Sequence, residues 1–231
     1  MHPILFRFHS LIFYSYGFFV ALAVLASFII AGGRAKAYGF TPGLVGDFIF
    51  LFFLTGVMGA RLFFVLQHWG TYQWKLWSVL SIQEGGLVWY GGFIVATIFG
   101  LIYARWKKQP ILKLCDFFAP ILPLAQGLGR LGCFFNGCCY GKWGLPVQLF
   151  EASVLAALSG ALFLLSRRNR PDGVLFVDYL ILASGARFVL EFFRGDQEHF
   201  SSLTLPQWTA LFLFLGGLFL LHVLQKRPRK S

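Results

Sequence analysis

The residues with the clearest chemical potential lie in Gly129-Arg130-Leu131-Gly132-Cys133-Phe134-Phe135-Asn136-Gly137-Cys138-Cys139-Tyr140-Gly141, where Arg130 ends a long apolar run. Arg61 and Arg187 sit in comparable apolar surroundings. A permanent charge at membrane depth is costly, and such a residue is by default a functional one. Arginine suits oxyanions because its planar fork can hold a phosphate or carboxylate through two parallel hydrogen bonds. With the loop charges set aside, Arg61, Arg130, Arg187 and Arg194 face Glu84, Glu151 and Glu191. Arg187 and Glu191 are four apart and share one helix face. These groups could simply pair inside a helix bundle. Buried pairs rarely offset their desolvation cost, however, so stability alone does not account for so many. An arginine-lined pocket would attract an anionic lipid headgroup.

Two further clusters draw notice. Glu84-Gly85-Gly86-Leu87-Val88-Trp89-Tyr90-Gly91-Gly92-Phe93 brings four glycines around Tyr90; these allow close backbone approach, between helices or around a ligand. Tyr14-Ser15-Tyr16-Gly17 lies near the start of the first apolar run, where interfacial tyrosines are common. Cys133, Cys138 and Cys139 allow small-hydrophobe packing, a disulfide or a metal. Their spacing is not Cys-x-x-Cys and no histidine stands nearby in sequence to complete a four-ligand zinc site, so the sequence favours packing and predicts no metal. A Cys138–Cys139 disulfide between chain neighbours would be strained.

The elements that position these residues are membrane spans. The chain is 58% hydrophobic and only 13% charged, with a mean hydropathy of +0.70; soluble domains carry about twice that charged fraction. A span needs about 20 apolar residues. Seven segments qualify, at residues 11–32, 45–67, 86–105, 111–135, 147–166, 173–193 and 206–225. The fourth holds Pro120, Pro123 and a glycine series, so it is expected to kink or to be partly re-entrant. The first is too long for the apolar core of a signal peptide and its basic residues follow it, which reads as a retained span. No stretch is polar enough for a separate soluble domain, so residues 1–231 read as a single integral membrane domain. The net charge of +11 is spread in short clusters at 34–36, 105–113, 167–170 and 226–230, a topology signal rather than a nucleic-acid surface. The opposite loops carry few basic residues, which places the N-terminus outside and the C-terminus in the cytoplasm. Asn136 then falls at the outer face, with Trp69, Trp74, Trp77, Trp89, Trp143 and Trp208 forming an interfacial belt there.

Taken together, these motifs resemble the prolipoprotein diacylglyceryl transferase family. Its signature has the form G-R-x-G-N-x-x-N-x-E-x-x-G. Gly129, Arg130, Gly132, Asn136 and Gly141 match it, while Cys133 and Cys138 stand where the family has Asn and Glu. Tyr16-Gly17, Gly59-Ala60-Arg61, Glu84-Gly85-Gly86, Gly91-Gly92, Asp116 to Pro120, Gln148-Leu149-Phe150-Glu151 and Arg187 to Arg194 also look like family segments, in family order. Two departures stand out. Tyr90-Gly91-Gly92 replaces the common His-Gly-Gly, and the periplasmic head insertion is essentially missing between Gly141 and Gln148.

The resemblance implies an all-α, multi-pass protein of the bacterial inner membrane that acts without a cofactor. Its partners would be phosphatidylglycerol, membrane lipids and the signal peptide of a prolipoprotein with its lipobox cysteine. The diacylglyceryl group would pass to that thiol, forming a thioether. Arg130, Arg187 and Tyr90 carry the implied catalysis. Substrate binding would fall to Tyr16, Arg61, Glu84, Gly91, Gly92, Gly129, Asn136, Gly141, Glu151, Glu191 and Arg194. A phenol, with a reference pKa of about 10, is a poor base at neutral pH, so Tyr90 is expected to orient phosphate or thiol by hydrogen bonding. Two other classes use the same arginines: a non-catalytic phospholipid-binding or assembly protein, and an anion transporter. No internal repeat of the kind common in transporters is evident.

Overall fold

A computed structural model describes residues 3–8, 11–72, 86–195, 199–200 and 203–226. The chain divides into two compact units, Met1–Ile30 with Leu112–Ser231 and, separately, Ala31–Ile111.

The first unit opens on an antiparallel hairpin, β1 (Ile4–Phe8) and β2 (Leu11–Tyr14). Helix α1 (Ser15–Ala35) follows and runs past the division between the units. The first expected span therefore begins four residues late, because Leu11–Tyr14 is taken up by strand pairing; aromatic and branched residues suit such pairing.

The second unit holds α2 (Pro42–Gln67), a single turn α3 (Trp69–Tyr72) and α4 (Trp89–Trp106). Thr41 caps α2 by accepting from Leu44 N at 3.3 Å, and Pro42 occupies the first turn, where its missing N–H costs nothing. Helices α2 and α4 meet along small residues. A Cβ on Gly59 would stand 2.5 Å from Val95 Cβ, and one on Gly92 would stand 2.7 Å from the Gly56 carbonyl oxygen. Small residues of this kind let helix backbones approach closely where hydrophobic driving force is weak.

The remainder of the first unit contains α5 (Ile111–Phe118), α6 (Ile121–Asn136), α7 (Val147–Leu165), α8 (Val174–Glu191), the short hairpin β3 (His199–Phe200) and β4 (Leu203–Thr204), and α9 (Leu205–Gln225). The expected kink is present: α5 and α6 meet at 43° across Ala119 and Pro120. The Ser159 hydroxyl from α7 donates to the Pro120 carbonyl at 2.7 Å, satisfying backbone that the break leaves open. Ala119, Leu158, Leu162, Leu175 and Tyr179 form the core between these helices. Helix α8 starts at Gly173, which has no side chain to cap it. Buried Asp116 of α5 does so instead, accepting from Gly173 N at 2.6 Å and Phe176 N at 2.8 Å. Helix α9 carries a capping box between Thr204 and Gln207.

The chain is an all-α membrane protein, with two small hairpins among the described residues. Among the described residues, Ser15–Tyr38, α2, α7 and α9 are long and apolar enough to span, and the bent α5–α6 pair makes a fifth if it crosses as one unit. Helices α4 and α8 occupy the other two expected segments with 18 residues each, and α8 includes Asp178, Arg187 and Glu191.

Candidate active site

Helices α6, α7 and α8 bring the charged residues of the first unit together. Gly127 of α6 lies against α7, where a Cβ would stand 3.4 Å from the Ala152 carbonyl oxygen. That close approach lets Arg130, one turn further on, reach Glu151: Nε is 2.7 Å from Oε2. Arg187 of α8 donates through Nη1 to the other oxygen of the same carboxylate. Its Nη2 also lies 2.8 Å from Glu191 Oε2, the pairing expected from the four-residue spacing. Arg194, in the turn after α8, has Nε 3.9 Å from that Glu191 oxygen. The Thr204 hydroxyl donates to Glu191 Oε1 at 3.2 Å while it caps α9. Among the described residues, three guanidiniums thus surround two carboxylates. Both acids are buried, whereas the Arg130 and Arg187 side chains each keep 25% of their surface exposed. Arg130 and Arg187 face outward; the acids and Arg194 do not.

The signature continues past α6 into a return loop held at both ends. Gly137, left-handed at φ 78°, closes the helix with its N–H on Cys133 O at 3.0 Å, and Cys138 N reaches the same carbonyl at 3.2 Å. Buried Gln148 donates to Cys138 O at 2.7 Å, and its own Oε1 has no hydrogen-bond partner among the described residues. Further on, Gly141 bridges to Arg194, Lys142 N donates to Phe193 O at 2.8 Å, and Gly195 N donates to Tyr140 O at 3.1 Å. No side chain fits at Gly141, where a Cβ would meet Val147 Cγ2 at 2.4 Å and Leu145 O at 2.7 Å. Gly132 abuts α1 at Tyr16 and Phe19, with a Cβ only 3.2 Å from the Tyr16 ring. Tyr16 therefore stands beside the signature. Asn136 is exposed at the end of α6, and Gly129 has open space around it.

Cys133, Cys138 and Cys139 all hold free thiols, and their sulfurs lie within 4.8 Å of one another. Spacing in the chain did not reveal this, because the helix end folds Cys138 and Cys139 back over Cys133. The hydrogen bond from the Cys133 thiol, aided by the charges of Arg194 and Arg130 and opposed by burial, lowers the Cys139 thiol from 9.0 to about 5.

A family model described as prolipoprotein diacylglyceryl transferase matches residues 3–223. The chain belongs to this family. A phosphatidylglycerol--prolipoprotein diacylglyceryl transferase of Symbiobacterium thermophilum is 33% identical over 242 residues, covering 94% of this chain and 90% of the relative. One of the same name from Geobacter sulfurreducens is 32% identical, covering 97% and 96%. Another, from Clostridium tetani, is 29% identical, covering 96% and 98%.

The second unit of this diacylglyceryl transferase family member carries the remaining expected residues. Arg61 is buried in α2, donates through Nη1 to Gly86 O at 3.3 Å, and lies over the Phe64 and Tyr72 rings. Gly86 takes φ 77°, and a Cβ there would overlap the Phe64 ring at 2.4 Å, so only glycine fits. Gly91 and Gly92 sit in the α2–α4 contact, with a Gly91 Cβ 2.4 Å from Phe63. Tyr90 is exposed, edge-on to Trp89 at 5.2 Å between ring centroids. Glu84, Trp74 and Trp77 lie outside the described residues; Trp69, Trp89, Trp143 and Trp208 are exposed. Sequence reasoning placed Asp116 and Gln148 in family segments without giving them a role, and it passed over Thr204. Only Thr204 had a local signal, since Thr204-Leu205-Pro206-Gln207 has the capping-box form.

Proposed function

We propose that this chain transfers the diacylglyceryl group of phosphatidylglycerol to the lipobox cysteine thiol of prolipoproteins. The single observation that carries this reading is the pair of part-exposed guanidiniums, Arg130 and Arg187, held side by side on the one carboxylate of Glu151, set within a member of the transferase family. The acceptor thiolate attacks the glycerol carbon that bears the phosphate ester. A sulfur–carbon bond forms, the carbon–oxygen bond breaks, and its electron pair leaves on glycerol phosphate. Arg130 and Arg187 stabilise the charge that develops on that phosphate, and their field favours the thiolate over the thiol.

The other assignments follow the same reading. Glu151 and Glu191 hold the arginines in place, and Arg194, Tyr16, Gly129, Asn136 and Gly141 shape the headgroup site. Arg61, Glu84 and Gly91 contribute to substrate binding, Gly92 acts indirectly through the close α2–α4 contact it permits, and Tyr90 hydrogen-bonds the phosphate or the incoming thiol. The protein is proposed to be a single domain of seven spans in the bacterial inner membrane, N-terminus outside, without a periplasmic head.

Complementation of a strain depleted of its own transferase, read by thioether formation on a lipobox peptide, tests the proposal. Growth and thioether formation are expected. Phosphatidylglycerol binding with no thioether would overturn the enzyme reading in favour of a non-catalytic lipid-binding protein.

A further inference from the structure

Cys133, Cys138 and Cys139 form a donor set that the charge-clamp chemistry does not use. Three thiolates about 2.3 Å from a common zinc ion stand about 4 Å apart. The three sulfurs here already lie within 4.8 Å of one another, and the Cys138 thiol donates to the Cys133 carbonyl oxygen at 3.7 Å. Small side-chain rotations bring them to coordination distance. The backbone is fixed independently of the thiols: Gly137 caps α6, Gln148 holds the Cys138 carbonyl, and Gly141 is bridged to Arg194. Cys139 itself is left-handed at φ 62°, a conformation that a non-glycine residue keeps only where its surroundings impose it. Among the described residues no histidine or carboxylate belongs to the cluster, so these donors select a soft, thiophilic cation.

We infer that these three cysteines bind one zinc-class cation and leave its fourth position open to a substrate thiol. Three protein ligands with one open position is the arrangement of catalytic rather than structural zinc. A thiol that coordinates such an ion is deprotonated outright, its proton passing to solvent. The role of the open position rests on the transferase reading: the bound thiolate keeps its electron pair for the glycerol carbon as the phosphate leaves. Arg130, whose charge reaches the same cluster, would stand beside both reacting groups.

The test separates metal binding from transfer. The reduced, chelator-stripped protein in detergent is titrated with cobalt(II), then zinc. One cobalt per chain with a sulfur-to-cobalt charge-transfer band, displaced by zinc, is expected. Cys139→Ser and Cys133→Ser should each weaken binding by more than the roughly 10–100-fold that second-shell changes cost, and Cys115→Ser should change nothing. A lipobox-type peptide thiol should alter the charge-transfer band of the cobalt protein, whereas its serine counterpart should not. Absence of the band in reduced wild type, or equal binding by Cys139→Ser, overturns the metal site whatever the transfer activity. An intact band that the peptide leaves unchanged overturns the open position. Metal binding with no thioether in the complementation assay retains the site and rejects the transferase reading.

Discussion

Arg130 and Arg187 divide one carboxylate between them, the first on Oε2 of Glu151 and the second on Oε1. Two cations that would repel each other are thereby held side by side from different helices. Removing one partner of a buried ion pair costs about 3–5 kcal/mol, because the charges left behind lack compensation. Glu151→Ala should therefore lower the midpoint of thermal unfolding in detergent. Phosphate or phosphatidylglycerol should restore part of that loss, more in the variant than in wild type. Equal stabilisation of both proteins by phosphate would show that the arginines do not bind anions as a pair.

Alanine at Arg130 or Arg187 is expected to abolish thioether formation while leaving the protein folded. Loss of one preorganised donor to a developing oxyanion costs about 10²–10³ in rate. Lysine at either position keeps the charge without the fork, so it should recover only a small part of the activity. Transfer at the wild-type rate in either alanine variant, measured on a lipobox peptide, would remove the clamp argument.

Much of this site was legible because its parts lie within a helical turn or two of one another. The Arg187–Glu191 pair follows from four-residue spacing, and the α5–α6 bend from Pro120 and the glycines after it. What escaped was long-range. Glu151 meets Arg187 across 36 residues, and Asp116 meets Gly173 across 57. No local pattern encodes either meeting. The closeness of the three thiols was not legible for a different reason: ligand rules based on chain spacing assume an extended knuckle, whereas here a helix end reverses the chain through Gly137. Likewise, Leu11–Tyr14 reads as apolar span until its strand partner at Ile4–Phe8 is recognised.

Asp116 is predicted to act on the site through α8. Its two oxygens hold the first N–H groups of the helix that carries Arg187 and Glu191. Replacing a helix cap by alanine costs about 0.5–2 kcal/mol, and burial of the abandoned N–H groups adds to that. Asp116→Ala should destabilise the protein in thermal unfolding, with Asp116→Asn intermediate because it retains one acceptor. Unaltered stability in both would show that α8 is capped by other means.

Gly92 distinguishes packing from substrate contact in the family's paired glycines. Its Cβ would press on the Gly56 carbonyl oxygen, which is backbone and cannot swing aside. Gly92→Ala should thus force α2 and α4 apart at a cost of about 1–3 kcal/mol. Thermal stability and transfer are expected to fall together, with activity per folded molecule little changed. A stable variant that has lost transfer would instead place Gly92 at the substrate.

Tyr90 carries the sharpest test of mechanism, because it stands where the family commonly has histidine. Its ring is exposed, and its hydroxyl makes no hydrogen bond among the described residues. An uncommitted phenol can donate one hydrogen bond to a phosphate oxygen or accept one from a thiol. Tyr90→Phe removes that hydroxyl and keeps the ring edge against Trp89. Transfer should fall about 2- to 10-fold, in line with the roughly 0.5–1.5 kcal/mol of an ordinary hydrogen bond, with folding unaffected. Tyr90→His, restoring the common residue, should equal or exceed wild type. If phenylalanine kept full activity, Tyr90 would have no part in handling phosphate or thiol, and the proton chemistry would have to rest on other groups.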